Sequence, residues 1–588
     1  MVLSEFEKQA LTQVSKERSW EHVQWFARTG QKLSGTLENE RAVDYVLETL
    51  KKIGIRAQAP EYQSWLDFPK LFDAELRVTS PVDLHIEAMP LAQMAPTGSD
   101  GVEGELVYVG GGGLADYEEK NVRGKIVLVE FEKAPARPWK NYIAGVLKGA
   151  AGLIVISYSA PKRVFNRGTV KSVWGNPTPE NIDEIGRIPA LLITSEDGVR
   201  LEEMLARGPV RVWMRGDSER GWARTRQPMA SIPGQEEGFV LLGSHMDAWA
   251  SAGSCNAVGC ACTLELARVL SSIKPLRRCV EFLWFQGHET GIMTGSTWYL
   301  DTHWDRIQRN CIAYLNDDTP CMVGTTVYSV DADPVYHDFM ESTIKELAEY
   351  EGAPFKRIDG YTPWKAGDQS FLGVGVPSAR VLTVTPPGEE EKPGGWWYHS
   401  DHDTIDKCDP ETLYMANKAH LLVILRLCTL PIIPYSITPV ADWTLAALND
   451  LQNRAKGTID LTSLIERGKD FRTVARRFDA LTSEIAETIK SVGAAKKDEG
   501  RIAVTNRVMV KICRTLNPIN YTLSGRYGQD HYGAEYIKPI PVLQPLSELA
   551  KLNPDTSQYK ALRTKLVRER NRVADALEEA QWLAEHVL

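Results

Sequence analysis

Little in this 588-residue sequence points to a membrane, a nucleic acid or a disulfide-built fold. No uninterrupted apolar stretch reaches the roughly 20 residues that a bilayer-crossing helix needs, so a membrane-spanning role is not expected. The opening, Met1 to Lys16, carries Glu5, Glu7 and Lys8 and has no apolar core region, so no secretory leader is expected. Clustered Lys/Arg runs are missing and the formal net charge is -9, which leaves no electrostatic footprint for nucleic acid. The nine cysteines are an odd number in a long chain, and Cys262, Cys279 and Cys428 sit in apolar surroundings. They read as buried free thiols of a reducing cytoplasm, not as a disulfide framework. Internal repeats and low-complexity tracts are absent as well. What is there is an ordinary globular balance, 43% hydrophobic and 25% charged, in a chain too long for a single core.

Four textures follow one another along the chain. Ser4 to Ile55 places apolar residues at helical spacing, as in Arg41 to Leu47, and ends in a glycine break at Gly54. From about Gly98 short buried-strand runs take over: Gly104 to Val109, Gly124 to Val129 and Gly152 to Ile156, around a small-residue helix at Ala144 to Ala151. This segment resembles a protease-associated domain, which implies an insert beside an active site. From Gly238 strands alternate with helices: strands at Phe239 to Leu242, Cys279 to Phe285, Cys311 to Leu315 and Ala379 to Val384, and helices at Val258 to Leu270, Gly291 to Asp301, Val335 to Tyr350 and Pro410 to Leu427. Such alternation predicts an α/β domain, a mixed and mostly parallel sheet flanked by helices. After Pro439 strands largely vanish, and Gln558 to Leu588 reads as one long helix. The predicted domains are therefore 1–97 with 225–439, an inserted β-rich domain at 98–224, and a separate helical domain at 440–588.

In open α/β sheets ligands gather at the carboxyl ends of the strands, and the chemistry-bearing residues of this sequence fall there. The first strand ends in His245-Met246-Asp247, and the next helix opens on Ser254-Cys255-Asn256. The second strand ends in Gln286-Gly287-His288-Glu289, the third in Asn316-Asp317-Asp318, and the fourth leads to Trp396-Trp397-Tyr398-His399-Ser400-Asp401-His402-Asp403. Taken singly each is weak, since a lone strand-end histidine is more often a satisfied polar residue than a ligand. Their occurrence in order, each after a strand of one sheet, is not a chance pattern.

That order and spacing resemble the co-catalytic zinc aminopeptidases of peptidase family M28, in the branch that includes glutamate carboxypeptidase II and the transferrin receptor. The resemblance covers nearly the whole chain and implies the zinc aminopeptidase fold with a protease-associated insert. It implies that His245 and Asp318 hold a first metal, with Asp247 behind His245, and that Glu289 and His399 hold a second. It also implies a homodimer paired through the C-terminal helical domain and a cis peptide after the bridging residue, here Cys255-Asn256. Two positions depart from the family pattern: Cys255 stands where an aspartate bridges the metals, and His288 stands where the catalytic glutamate precedes Glu289.

A thiolate is soft and offers one atom, so it favours zinc, with iron or another late transition metal as the alternative. A single ion held by Cys255, Glu289 and His399 is expected, the arrangement of the single-zinc glutaminyl cyclases, with a second ion left open. His288 is either a general base of suitable pKa or a fourth ligand. Trp396, Trp397, Tyr398 and Trp249 are expected to wall the substrate pocket, with core packing the other reading for Trp249. The expected activity is metal-dependent hydrolysis of an amide or related bond in a small amino-acid-like or peptide substrate. A lyase, cyclase or other non-peptidase metalloenzyme is the alternative, as is a non-catalytic binding protein like the transferrin receptor.

Overall fold

The computed structural model describes residues 3–131, 137–157, 163–273, 275–357, 367–386, 388, 395–492, 499–532 and 539–588. Two eight-stranded sheets organise it. The first runs, edge to edge, Ala57–Gln58, Met229–Ile232, Cys279–Phe285, Phe239–His245, Cys311–Asn316, Ser378–Val384, Val327–Ala332 and Phe355–Arg357. Its four central strands, 279–285, 239–245, 311–316 and 378–384, are parallel, while the flanking pairs 229–232/279–285 and 327–332/378–384 are antiparallel. The sheet is thus mixed and mostly parallel at its centre. Phe239–His245 is buried at every position, as the continuous apolar run of a strand covered on both faces requires. Helices Val258–Ser272 and Pro410–Thr429 pack on it, the latter opened by Asp409 as N-cap with Pro410 in the first turn.

The second sheet begins at Glu61, earlier than the sequence boundary at 98. Strand Glu61–Ser80 pairs antiparallel with Arg211–Arg226, from Glu61 opposite Arg226 to Ser80 opposite Arg211, and this long ribbon carries the insert out of the first domain. Its residues alternate between buried and exposed and carry many charges, so no apolar run marks it. Val102–Tyr108 joins Arg211–Arg226 antiparallel and is followed by Ile126–Glu130, Gly152–Ile156 and Ala190–Ile193, all parallel to it, while Leu84–Ile86 and Ala88–Pro90 form the two antiparallel edges. The helix expected at 144–151 lies earlier, at Arg137–Asn141 continuing through Tyr142–Leu147.

The C-terminal helices Thr438–Ala455, Thr462–Val492, Glu499–Tyr521 and Ser557–Glu585 pack against the sheet domain. One buried cluster runs from Leu421 and Leu425 of the sheet's helix layer to Leu448, Phe478, Met509 and Leu577. In Thr462–Val492 the contacts come from Leu464, Phe471, Val474, Phe478 and Ile485, which share one helical face. Arg514, 5% exposed, reaches across and donates to the carbonyls of Gln308, Ile307, Cys311 and Gly375. Among the described residues no helix is long and apolar enough to cross a membrane. Because Arg514 satisfies four carbonyls of the sheet domain, Arg514→Met should lower stability in urea unfolding by about 3 kcal/mol or more, the cost of leaving several buried acceptors unmet. A loss below about 1 kcal/mol would contradict this account of how the helical region is joined.

Candidate metal centre

The parallel strands deliver their carboxyl ends to one place. His245 closes the strand Phe239–His245, Glu289 and His288 follow Cys279–Phe285, Asp318 follows Cys311–Asn316, and Cys255 sits in the turn Gly253–Ala257 that opens the helix Val258–Ser272. His399 enters from the loop after Ser378–Val384 with a left-handed backbone, φ 59°. The Cys255-Asn256 peptide is cis.

Each loop is tied down by a buried carboxylate. The Asp247 carboxylate accepts from the backbone N–H of His288 (3.3 Å) and of Glu289 (3.0 Å). It is the Asp247 carbonyl, 3.0 Å from Nδ1, that orients the His245 ring; the carboxylate stands off at 3.6 Å. Asp403 accepts from the N–H and Oγ of Ser254, both at 2.9 Å, and from the N–H of Cys255 at 3.2 Å. The Asn256 side chain accepts from Gly259 and Thr319 N–H and donates to the Asp317 carbonyl. The insert takes part as well. Asn166 donates to the carbonyls of Trp396 and Tyr398, and the Arg167 carbonyl, 3.1 Å from His399 Nδ1, fixes that ring.

With both Nδ1 atoms engaged, the two Nε2 atoms face inward. Cys255 Sγ lies 3.5 Å from His245 Nε2, 3.5 Å from His399 Nε2 and 3.6 Å from Glu289 Oε1. Glu289 Oε1 is 3.1 Å from His399 Nε2, and Asp318 Oδ1 is 3.3 Å from His245 Nε2. His288 stacks on His245, ring centres 3.8 Å apart, and its Nδ1 is 2.8 Å from Asp368 Oδ2. The site residues Asp247, His245, Cys255, Glu289 and His288 are all buried, and burial alone opposes every charge here. Burial, followed by the Glu289 carboxylate, pushes the Cys255 thiol well above its ordinary value. Burial also opposes the charge on Glu289 and Asp318, but the facing histidines prevail and hold Glu289 at about 2 and Asp318 lower still. For His288, burial and His245 pull its pKa down, while Asp368 and Asp318 raise it to a net value above the ordinary one.

The donor side chains expected from sequence thus lie together. Trp249 does not line an opening: it is 1% exposed and its Nε1 donates to Glu289 Oε2 at 2.8 Å. Tyr398 stacks on His399 and places its hydroxyl 3.7 Å from Cys255 Sγ, while Trp396 and Trp397 stand edge to face in the same loop, Trp397 buried. Sequence reading missed Asp368, which no strand run announces, and gave no role to Asp403, Asn166 or Arg167. It missed Lys32 too, 1% exposed behind the cluster, whose ammonium burial lowers to about 8 against the charges of Cys260, Asp403 and Cys255.

A sheet with five ligand-type side chains at its carboxyl edge defines an α/β metallohydrolase-like scaffold. Residues 229–424 match the model of peptidase family M28, and residues 102–201 match that of the PA domain. It is 24% identical over 562 residues to a probable glutamate carboxypeptidase LAMP1 of Arabidopsis thaliana, covering 81% of each chain. It is 25% identical over 420 residues to a probable lipoprotein aminopeptidase LpqL of Mycobacterium tuberculosis, covering 66% of this chain and 79% of the relative. An aminopeptidase from Aneurinibacillus sp. strain AM-1 superposes with a TM-score of 0.54 at 22% identity, over 72% of this chain and 96% of that one, and shares the fold.

Because Trp249 fixes the Glu289 oxygen that faces away from the cluster, Trp249→Phe should weaken zinc binding about 10–100-fold in a chelator competition, the usual cost of losing such a supporting bond. Unchanged affinity would mean that Glu289 is held by packing alone.

Proposed function

We propose that the chain is a metal-dependent hydrolase that cleaves an amide or related bond of a small amino-acid-like or peptide substrate, at an ion held by Cys255, Glu289 and His399. One observation carries the reading: the spacing of those three donor atoms. Zinc bonds of about 2.0–2.3 Å in a tetrahedron set nitrogen and oxygen donors about 3.4 Å apart and place sulfur about 3.6 Å from either. The separations here are 3.1 Å without the sulfur and 3.5 and 3.6 Å with it. Cysteine, carboxylate and imidazole together suit zinc best, with iron or another late transition metal as the alternative.

A bound zinc supplies Lewis acidity at that position. The chain's own residues do the rest. His288 moves the proton of the attacking water to the leaving nitrogen, and Asp368 holds its Nδ1 so that Nε2 stays turned to the site. Tyr398 closes the cluster on the His399 side, and Trp396 and Trp397 form the wall beside it. A lyase or cyclase on the same cluster would use the same proton carrier, and the fate of water-derived oxygen in the product separates these chemistries. The non-catalytic reading is disfavoured by the His288–Asp368 pair, which a bare scaffold does not need.

A second ion is favoured by a further observation: His245 Nε2 stands as close to Cys255 Sγ as His399 Nε2 does, and Asp318 completes that side. The thiolate would then be shared. The homodimer reading is supported by large apolar side chains left exposed on the C-terminal region, Val504, Leu523, Tyr527 and Trp582 among them. Nine cysteines without a disulfide support a reducing compartment such as the cytoplasm.

Cys255→Ser should lose the ion held at this centre, because a neutral hydroxyl is a far weaker ligand than a thiolate. His288→Ala should keep the metal and lose about 10²–10⁴-fold in rate. Metal content unchanged by Cys255→Ser would overturn the site, and metal lost with His288→Ala would make His288 a ligand. Light scattering should give twice 65.7 kDa, and a mass of one chain would exclude the dimer.

A further inference from the structure

Behind the candidate centre lies a second cluster that the proposed chemistry does not use. Asp317 and Asp318 are consecutive at the end of the strand Cys311–Asn316, and their side chains go opposite ways. Asp318 faces His245, whereas Asp317 turns into the layer between the helices Val258–Ser272 and Pro410–Thr429. There it meets Cys262 of the first helix and His420 of the second. Cys262 Sγ, an Asp317 carboxylate oxygen and a His420 ring nitrogen all lie within 4.8 Å of one another, and all three residues are buried with 0% exposure.

Two of the polar atoms aimed into this space lack hydrogen-bond partners. Asp317 Oδ2 accepts from Thr263 Oγ1 at 3.0 Å, but Asp317 Oδ1 has no hydrogen bond. His420 Nδ1 is 3.0 Å from the Ala416 carbonyl of its own helix, so it carries the proton and Nε2 presents a lone pair. That Nε2 is also without a hydrogen bond, 3.8 Å from Asp317 Oδ1. Both atoms are buried, and neither has a hydrogen-bond partner.

We propose that Cys262, Asp317 and His420 form a second, structural metal site for a zinc-class ion, placed back to back with the candidate centre on the same strand end. A thiolate, a carboxylate and an imidazole are the donors such ions prefer, and one cation between Oδ1 and Nε2 satisfies both orphaned acceptors. The three donors come from the strand end and from two different helices, so the ion cross-links the layers of the domain. Its burial makes it slow to exchange and keeps it from substrate.

The test separates this site from the one built on Cys255. The Cys255→Ser chain is stripped of metal during refolding, loaded with Co2+ alone and read for the thiolate-to-cobalt absorption band. The band should persist at one cobalt per chain and disappear in Cys255→Ser/Cys262→Ser. Its absence from the first variant, in a chain shown to be folded by circular dichroism, would overturn the proposal. If the variants do not refold, crystals of the wild-type chain loaded with cobalt decide the matter. An anomalous peak among Cys262 Sγ, Asp317 Oδ1 and His420 Nε2 supports the site, and a map with a peak beside Cys255 and none there refutes it.

Discussion

Two buried carboxylates, Asp247 and Asp403, hold together the loops on which everything at the strand ends depends. Asp247 takes the amides of His288 and Glu289, and Asp403 takes those of Ser254 and Cys255, so residues from three strand ends share one frame. A charged acceptor with backbone donors is among the stronger hydrogen-bonding arrangements, and here each replaces water that the fold has excluded. Without them the chain would still form its parallel strands, but the side chains leaving those strands would have no reason to meet.

The frame brings together groups that repel one another unless something positive sits among them. Cys255 is buried between carboxylates, and its thiol is correspondingly hard to ionise. Histidines on either side answer part of that charge, which is why Glu289 and Asp318 stay ionised. A cation does the same more completely, and coordination would draw the proton from Cys255 as binding releases it. A thiol at this position would favour a softer ion than a carboxylate does, while the frame that holds the site is unchanged.

Much of this was legible in the sequence, and for identifiable reasons. The strands carrying His245, Glu289 and Asp318 are short apolar runs that end in polar residues, so both the sheet and its functional edge could be read from local pattern. The ribbon of Glu61–Ser80 with Arg211–Arg226 could not, because one face is exposed and its charges hide the period. Asp368 and Arg167 were invisible for another reason. Each acts from a loop on a histidine far away in the chain, and no spacing rule links such positions. Trp249 illustrates the limit of composition: an aromatic beside a candidate site left a wall and core packing both open, and the structure buries it with its indole N–H on a carboxylate. The helical region looked independent because its sequence changes texture at Pro439, whereas one apolar core and the buried guanidinium of Arg514 join it to the sheet.

The central claim is that Cys255 has become a metal ligand, and diffraction on either side of the zinc absorption edge tests it most directly. Crystals of protein purified without added metal should show an anomalous peak about 2.3 Å from Cys255 Sγ and about 2.0–2.2 Å from Glu289 and His399. A map in which Cys255 Sγ has no anomalous neighbour, with ions bound only by His245 and Asp318 or by none of these residues, would contradict the account.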